Sequence, residues 1–466
     1  MKNKIYRCLL ACAVLAGTVQ PLPAQLLRTA YFMDKSIVRS NLNPAFQAEG
    51  SYSSIPVIGS LGFSGMSNGL VLSDIIYPDR NLVLSGISYP DRSPYTFLDP
   101  RVNTKDFLGN VKKNNGLDMG VRTDIFTMGW RHSPDVFWTI GVGIRAEGYL
   151  NIPGSLLEFA KAGMTTDSKS VYDFSGLKAD VRSYLELSAG YSKKIDERLT
   201  VGGKLKLLPA LGGLRADFDK FTAEMGQDNW KITTHGKLNA SVAGLKLISE
   251  EDHISDMEFN TPGLAGFGAA VDFGASYKLL DNLTLSGSVL DLGFISWSKG
   301  DYAETKNKTF TFNGFELPIG DNESNMDDQL DQLKEDAEQL IQFKQNKTDR
   351  SYTSLLSASV LAGAEYSLLD NMIGLGLLSS TSFNPFNVYT ELTASANFRP
   401  VDWFAATLSY SAIHSHFKTY GIALNFSPKG FNFFLGSDYM ISKVTPQFIP
   451  VNVGGSNLYL GMSIKL

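Results

Sequence analysis

Ten charged side chains fall on the polar faces of segments whose apolar residues recur every second position: Asp118, Arg122, Asp124, Arg145, Arg182, Glu186, Lys204, Lys206, Asp272 and Glu365. Carboxylates and cations mixed so evenly neutralise one another, and that is the plainer reading. The sharper one leaves a cation such as Arg145, Lys204 or Lys206 to hold a ligand carboxylate through charge-assisted hydrogen bonds. Arg182, Asp272 and Glu365 complete this candidate set of polar groups. His414 and His416 stand two apart and so project from one side of a strand. Two imidazoles can begin a metal site, but no third ligand lies near them in the sequence, so no metal is expected. There is no Gly-x-Ser-x-Gly, no phosphate-binding loop and no metalloprotease motif. Gly263, Gly266 and Gly268 come in the wrong order for a dinucleotide fingerprint. Neither a cofactor nor an enzymatic activity is expected.

The elements that carry these residues are strands. Leu199, Val201, Leu205 and Leu207 alternate with Thr200, Gly202, Lys204 and Lys206, and Val271, Phe273, Ala275, Tyr277 and Leu279 alternate with Asp272, Gly274, Ser276 and Lys278. Leu356, Ala358, Val360, Ala362, Ala364, Tyr366 and Leu368 make another such face, as do Tyr420, Ile422, Leu424 and Phe426, and Leu458, Leu460, Met462, Ile464 and Leu466. Successive side chains on a strand point to opposite faces, so every segment has one greasy side. None of these faces carries a charge, which at a bilayer midplane costs about 2–4 kcal/mol.

Three features favour a barrel in a membrane over a soluble sandwich. The strands run roughly 10–16 residues, long enough to cross a bilayer at a tilt. Short and long connections alternate. Each short turn follows an aromatic residue by four or five positions: Trp130…Asp135, Tyr191…Asp196, Tyr277…Asp281, Tyr366…Asp370, Phe398…Asp402 and Phe426…Gly430, with Trp138 and Trp403 opening the strands after two of them. Rings at one height before every turn are what a headgroup-level girdle requires. The spacing predicts an all-β fold, a transmembrane antiparallel barrel of about 14 strands. The count reaches 16 if the polar hairpin at 213–240 crosses the membrane, and stays at 14 if it projects beyond. Long extracellular loops are expected near 149–177, 213–265, 299–350 and 442–455, and the barrel itself over 51–466.

The chain has 466 residues and a formal charge of −5. Lys2, Lys4 and Arg7, the apolar run from Cys8 to Gly17 and Leu22-Pro23-Ala24 have the three-part form of a secretory signal, so residues 1–24 are expected to be removed. Leu9-Leu10-Ala11-Cys12 matches a lipobox, but Arg7 leaves too short an apolar stretch before Cys12. Of 42 Lys and Arg, three fall in this leader, leaving 39 against 47 acidic residues, a net of −8. Nothing in that balance seeks nucleic acid. The only two cysteines, Cys8 and Cys12, lie in the leader, so disulfides and thiolate chemistry are excluded from the mature chain.

Asn41-Leu42-Asn43-Pro44-Ala45-Phe46 precedes the first strand, and in that setting the sequence resembles the FadL-like outer-membrane barrels, the long-chain fatty-acid transporter superfamily, in an uncharacterised branch. Asp291-Leu292-Gly293-Phe294 and the hairpin from Gly274 to Val289 are similar to its later strands. The resemblance implies that residues 25–50 fold into the lumen as a plug, with Asn41, Asn43, Pro44 and Ala45 as its motif. It implies passive movement or binding of a hydrophobic, fatty-acid-like small molecule by a monomeric barrel in outer-membrane lipid. A relative that serves as the accessory barrel of type IX secretion supplies the alternative, a scaffold that holds a protein partner with its extracellular loops. An acidic amphipathic helix is expected at 324–343, with Met326, Leu330, Leu333, Ala337, Leu340 and Ile341 at helical spacing, packed over the extracellular mouth as a lid or else docking such a partner, and a shorter helical run from Ser155 to Ala162 is expected to line that mouth.

Overall fold

The computed structural model describes residues 27–34, 36–56, 59–77, 95–163, 170–225, 230–242, 245–250, 253–259, 263–312, 344–413, 417–440 and 455–466. The leader, His414, His416 and the acidic helical run at 324–343 lie outside the described residues.

One antiparallel sheet closes on itself. Tyr52–Ser54 (β1) and Ser60–Ser67 (β2) share the first position and pair with Asn114–Arg131 (β5) on one side. The ring continues through Val136–Pro153 (β6), Leu177–Lys194 (β8), Leu199–Met225 (β9), Gly266–Leu280 (β13), Leu283–Phe312 (β14) and Ala358–Leu368 (β16). Ile373–Phe383 (β17), Val388–Val401 (β18), Phe404–Ile413 (β19), Phe417–Phe426 (β20), Phe431–Ser437 (β21) and Gly455–Lys465 (β22) follow. β22 returns to the start through Tyr52↔Lys465 and Phe63↔Leu458. This is a closed 14-strand barrel. Closure leaves no open strand edge in lipid, where unpaired amides have no water to bond.

The two faces sort as the alternation requires. On β13, Phe267, Phe273, Tyr277 and Leu279 lie exposed on the outside while Asp272 is 1 % exposed inside. On β9, Leu205 and Leu207 face out and Lys204 and Lys206 are buried. The girdle forms at the short-turn rim, where Trp138, Tyr191, Tyr277, Tyr366, Phe398 and Trp403 are all exposed and the Trp138 and Tyr191 rings meet edge to face at 4.7 Å. Asp370 and Asn371 turn the β16–β17 hairpin with positive φ of 52° and 69°, conformations that short polar side chains tolerate.

One face departs from the alternation. Leu356 does not continue the lipid-facing row of β16: Lys344–Leu355 (β15) ends one residue before it, Leu355 is 76 % exposed, and Leu356 turns inward to 6 %. Its N–H donates to Gly293 O, which fixes the turn-in where β15 hands its place beside β14 to β16.

The strands also outrun the expected length. β5, β6 and β8 have 18 residues each, β9 has 27 and β14 has 30. A tilted crossing needs about 9–11. The excess stands beyond the long-loop rim. There the upper half of β9 leaves β13 and pairs with Trp230–Val242 (β10), which pairs in turn with the upper half of β14. The helix Gly154–Ala162 packs its Leu156 and Phe159 with Phe174, Phe221 and Trp230 in an apolar cluster at that end. A second cluster gathers Leu70, Val102 and Phe107 with Tyr77, Tyr95 and Leu157.

Candidate functional site in the barrel lumen

Residues 27–34 and 36–46 lie inside the ring. Two short 3₁₀ turns, Arg28–Ala30 and Ile37–Asn41, fold the segment so that Leu27, Ala30, Tyr31, Phe32, Met33 and Leu42 pack against the inward residues Leu290, Leu361, Leu378, Ala405, Phe434 and Tyr459. Glycines in the wall make room for this. At Gly376 an added Cβ would lie 2.4 Å from the Phe32 ring, and at Gly421 it would lie 2.3 Å from Thr29 Oγ1.

The Asn-Pro-Ala motif docks onto the wall at the lower end. Asn43 is fully buried; its Nδ2 donates to Ala275 O and Gly287 O, each at 3.1 Å, on the paired strands β13 and β14. Its Oδ1 accepts the Ala45 N–H at 2.9 Å, closing a turn that presses Pro44 and Ala45 against Gly202. Asn41 Oδ1 accepts from Lys204 Nζ at 3.0 Å.

The lumenal charges resolve into separate groups. Arg145 binds Glu186 through two bonds of 3.0 and 3.1 Å and Asp124 through one of 2.8 Å, the paired geometry that satisfies a guanidinium. Lys206 bridges Asp272 at 2.8 Å and Asp291 at 2.5 Å. Arg182 sits higher, on Glu147 at 2.7 Å and on Leu355 O and Ser357 Oγ. Glu365 is on the far side of the barrel with Arg399 at 2.5 Å. Arg145, Lys204, Lys206 and Asp272 thus share one strip across β6, β9 and β13, which Arg182 and Glu365 do not join. Lys204 differs from its neighbours: among the described residues its hydrogen bonds go to the neutral Asn41 Oδ1 and Ser40 O of the lumenal segment.

Sequence reasoning missed the partners that the lumenal segment itself brings. Arg399 also reaches Asp34 at 3.2 Å and Phe32 O at 2.6 Å. Arg28 meets Glu391 at 2.8 Å, and Asp438 accepts from Thr29 N and Oγ1 at 2.8 and 2.6 Å. Arg131 holds Ala48 O at 2.6 Å where the segment leaves the barrel. Glu391 and Arg399 were discoverable, since Glu391, Thr393, Asn397 and Arg399 form one polar face of β18. Arg28 and Asp34 lie in a segment with no period to read.

Between the segment and the wall lies a narrow cleft, open to solvent, with a cavity volume of about 30 Å³, on the order of one water molecule. Ile37, Val38 and Tyr52 border it on one side and Asp124, Glu186 and Lys204 on the other. Higher up the lumen narrows. The short connection after β17 folds inward, with Asn387 facing Asn68 at 3.4 Å and Asn384 Nδ2 hydrogen-bonded to Asp118.

Closed ring, outward apolar belt and occupied lumen define a transmembrane barrel of the outer-membrane type. Residues 44–438 match the model of a family of unknown function, DUF5723, and the chain belongs to that family. Comparison with curated protein sequences gives no match. Among solved structures, the chain is similar to the toluene transporter TbuX of Ralstonia pickettii, at 10 % identity and a TM-score of 0.41 over 93 % of this chain and 94 % of that one. It is similar also to a FadL homologue of Pseudomonas aeruginosa (9 %, TM-score 0.38, 95 % and 99 %). The toluene transporter TodX of Pseudomonas putida gives 8 % and 0.36, over 95 % of each chain.

Proposed function

We propose that the protein is an outer-membrane channel in which residues 27–50 act as a resident plug, and that small molecules with an apolar body bind beside this plug and pass it by diffusion. The cleft between plug and wall carries the reading, because it sets apolar side chains of the plug opposite charged groups of the barrel. The lining is mixed, with Ile37, Val38 and Tyr52 beside Ser40, Asn41 and Thr127, so an apolar body and a polar end of one molecule each find a partner when the plug yields room for it. Polar solutes gain little there, since Arg145, Asp124 and Glu186 already satisfy one another.

Native mass spectrometry from mild detergent tests this. The barrel is expected to carry apolar molecules of lipid-like mass, and to lose them in an Ile37→Trp variant that fills the cleft. A barrel that emerges empty, and that no member of a lipid and hydrocarbon panel stabilises against heat, refutes the proposal. The scaffold alternative rested on the acidic run at 324–343, and the described residues offer nothing in its favour.

A further inference from the structure

We propose that Asp118, with the tyrosines around it, forms a recognition site for an organic ammonium group in the upper lumen. This inference deepens the reading of the lumen as a small-molecule path, and rests on it.

Asp118 is 3 % exposed and projects inward from β5. Its register neighbours are Met66 on β2 and Tyr149 on β6, both buried. Tyr389 of β18 and Tyr439, just past β21, pack on Met66, and Tyr439 Oη donates to Met66 Sδ at 3.6 Å. One carboxylate oxygen of Asp118 accepts from Asn384; the other, Oδ1, is buried, and the Tyr389 hydroxyl is its polar neighbour. Among the described residues no Arg, Lys or His forms an ion pair with it.

That sets Asp118 apart. Asp124 and Glu186 have Arg145, Asp272 has Lys206, Glu365 has Arg399, and Glu391 and Asp438 have Arg28. A buried carboxylate without a counter-ion is costly, so the position selects for a positive partner. The described residues hold no group of three or more ligating side chains that suits a metal ion. The neighbours of Asp118 are aromatic, with Tyr149 beside it in register and Tyr389 at the carboxylate, and a carboxylate among tyrosines attracts an alkyl- or arylammonium through the charge and through the ring quadrupoles together. The inward connection after β17, which carries Asn384, places this site at the narrowing that an entering molecule meets.

Three probes of one shape separate the chemistries: benzylammonium, benzyl alcohol and benzoate, titrated against the full barrel in lipid nanodiscs and read by saturation-transfer NMR. Benzylammonium is expected to bind saturably and about ten-fold tighter than benzyl alcohol, with no saturable binding of benzoate, and to weaken about ten-fold in Asp118→Asn. Equal affinity for the alcohol, or unchanged binding in a folded Asp118→Asn barrel, overturns the proposal. Should that variant not fold, competition on the unmodified barrel decides. Tetramethylammonium is expected to displace benzylammonium where sodium chloride of equal ionic strength does not, and displacement by both alike overturns the site. Lipid-like cargo in native mass spectra is a separate readout, so the channel reading and the ammonium site fail independently.

Discussion

Gly202 and Gly203 are adjacent on β9, and the structure assigns them opposite tolerances. A Cβ at Gly202 would lie 2.2 Å from Pro44 O, 2.4 Å from Pro44 C and 2.6 Å from Ala45 N. All three are backbone atoms that no rotamer change can move. At Gly203 the nearest atom would be Asp272 O at 3.6 Å, an ordinary contact. Comfortable carbon contacts begin near 3.5 Å, so Gly202→Ala demands a displacement of about 1 Å. β9 is clamped by β8 and β13 along this stretch, so the plug must yield, against the two Asn43 bonds that hold it. Overpacking of this kind costs about 1–3 kcal/mol, a roughly 5- to 150-fold shift toward the unseated plug. The readout is the rate at which a soluble maleimide labels Val38→Cys, a buried plug position, in a background with Cys8 and Cys12 replaced. Gly202→Ala is expected to speed labelling within that range and Gly203→Ala to leave it alone. Equal rates in both variants, or no change in Gly202→Ala with unaltered heat resistance, refute the docking argument.

Three further outcomes follow from the described geometry. Arg399→Met leaves the buried Glu365 carboxylate without a counter-ion, while Asp34, a third exposed, keeps Arg39; reversible folding into vesicles is expected to lose about 3–5 kcal/mol, with Glu365→Gln far milder. Leu205→Arg puts a charge on a lipid-facing position that is 66 % exposed and is expected to cost about 2–4 kcal/mol in the same assay, whereas Lys204, one residue away, is tolerated because it faces inward. In the β8–β9 turn, N–H groups of Arg198 and Leu199 hold the Asp196 carboxyl below its ordinary pKa. Its contribution is therefore present above the unfolded value and fades as pH falls through the lowered one. NMR titration of that turn is expected to show its order declining only in acid, below about pH 4.

The barrel was legible because its two solvents, lipid and lumen, impose a strict two-residue period on every crossing. Where one solvent lies on both sides the period weakens, which is why the upper halves of β9 and β14 were read as loop and hairpin rather than as unbroken strands. Leu356 was misassigned because alternation counts positions and cannot show that β15 hands over to β16 with a change of face. Of the site, the inward charges were readable but their partners were not. Arg399 pairs with Asp34 across almost the whole chain, and Asp118 is distinguished by having no counter-ion among the described residues, which no spacing records.

The ring is shut by β22 meeting the strand that begins directly after the plug. A segment laid in place while the sheet is still an open, curling ribbon meets its partners before the last strand closes the ring over it. Arg28, Asp34 and Asn43 on that segment each bond to strands well along the ribbon, so packing the cargo of the lumen helps to curl the wall around it.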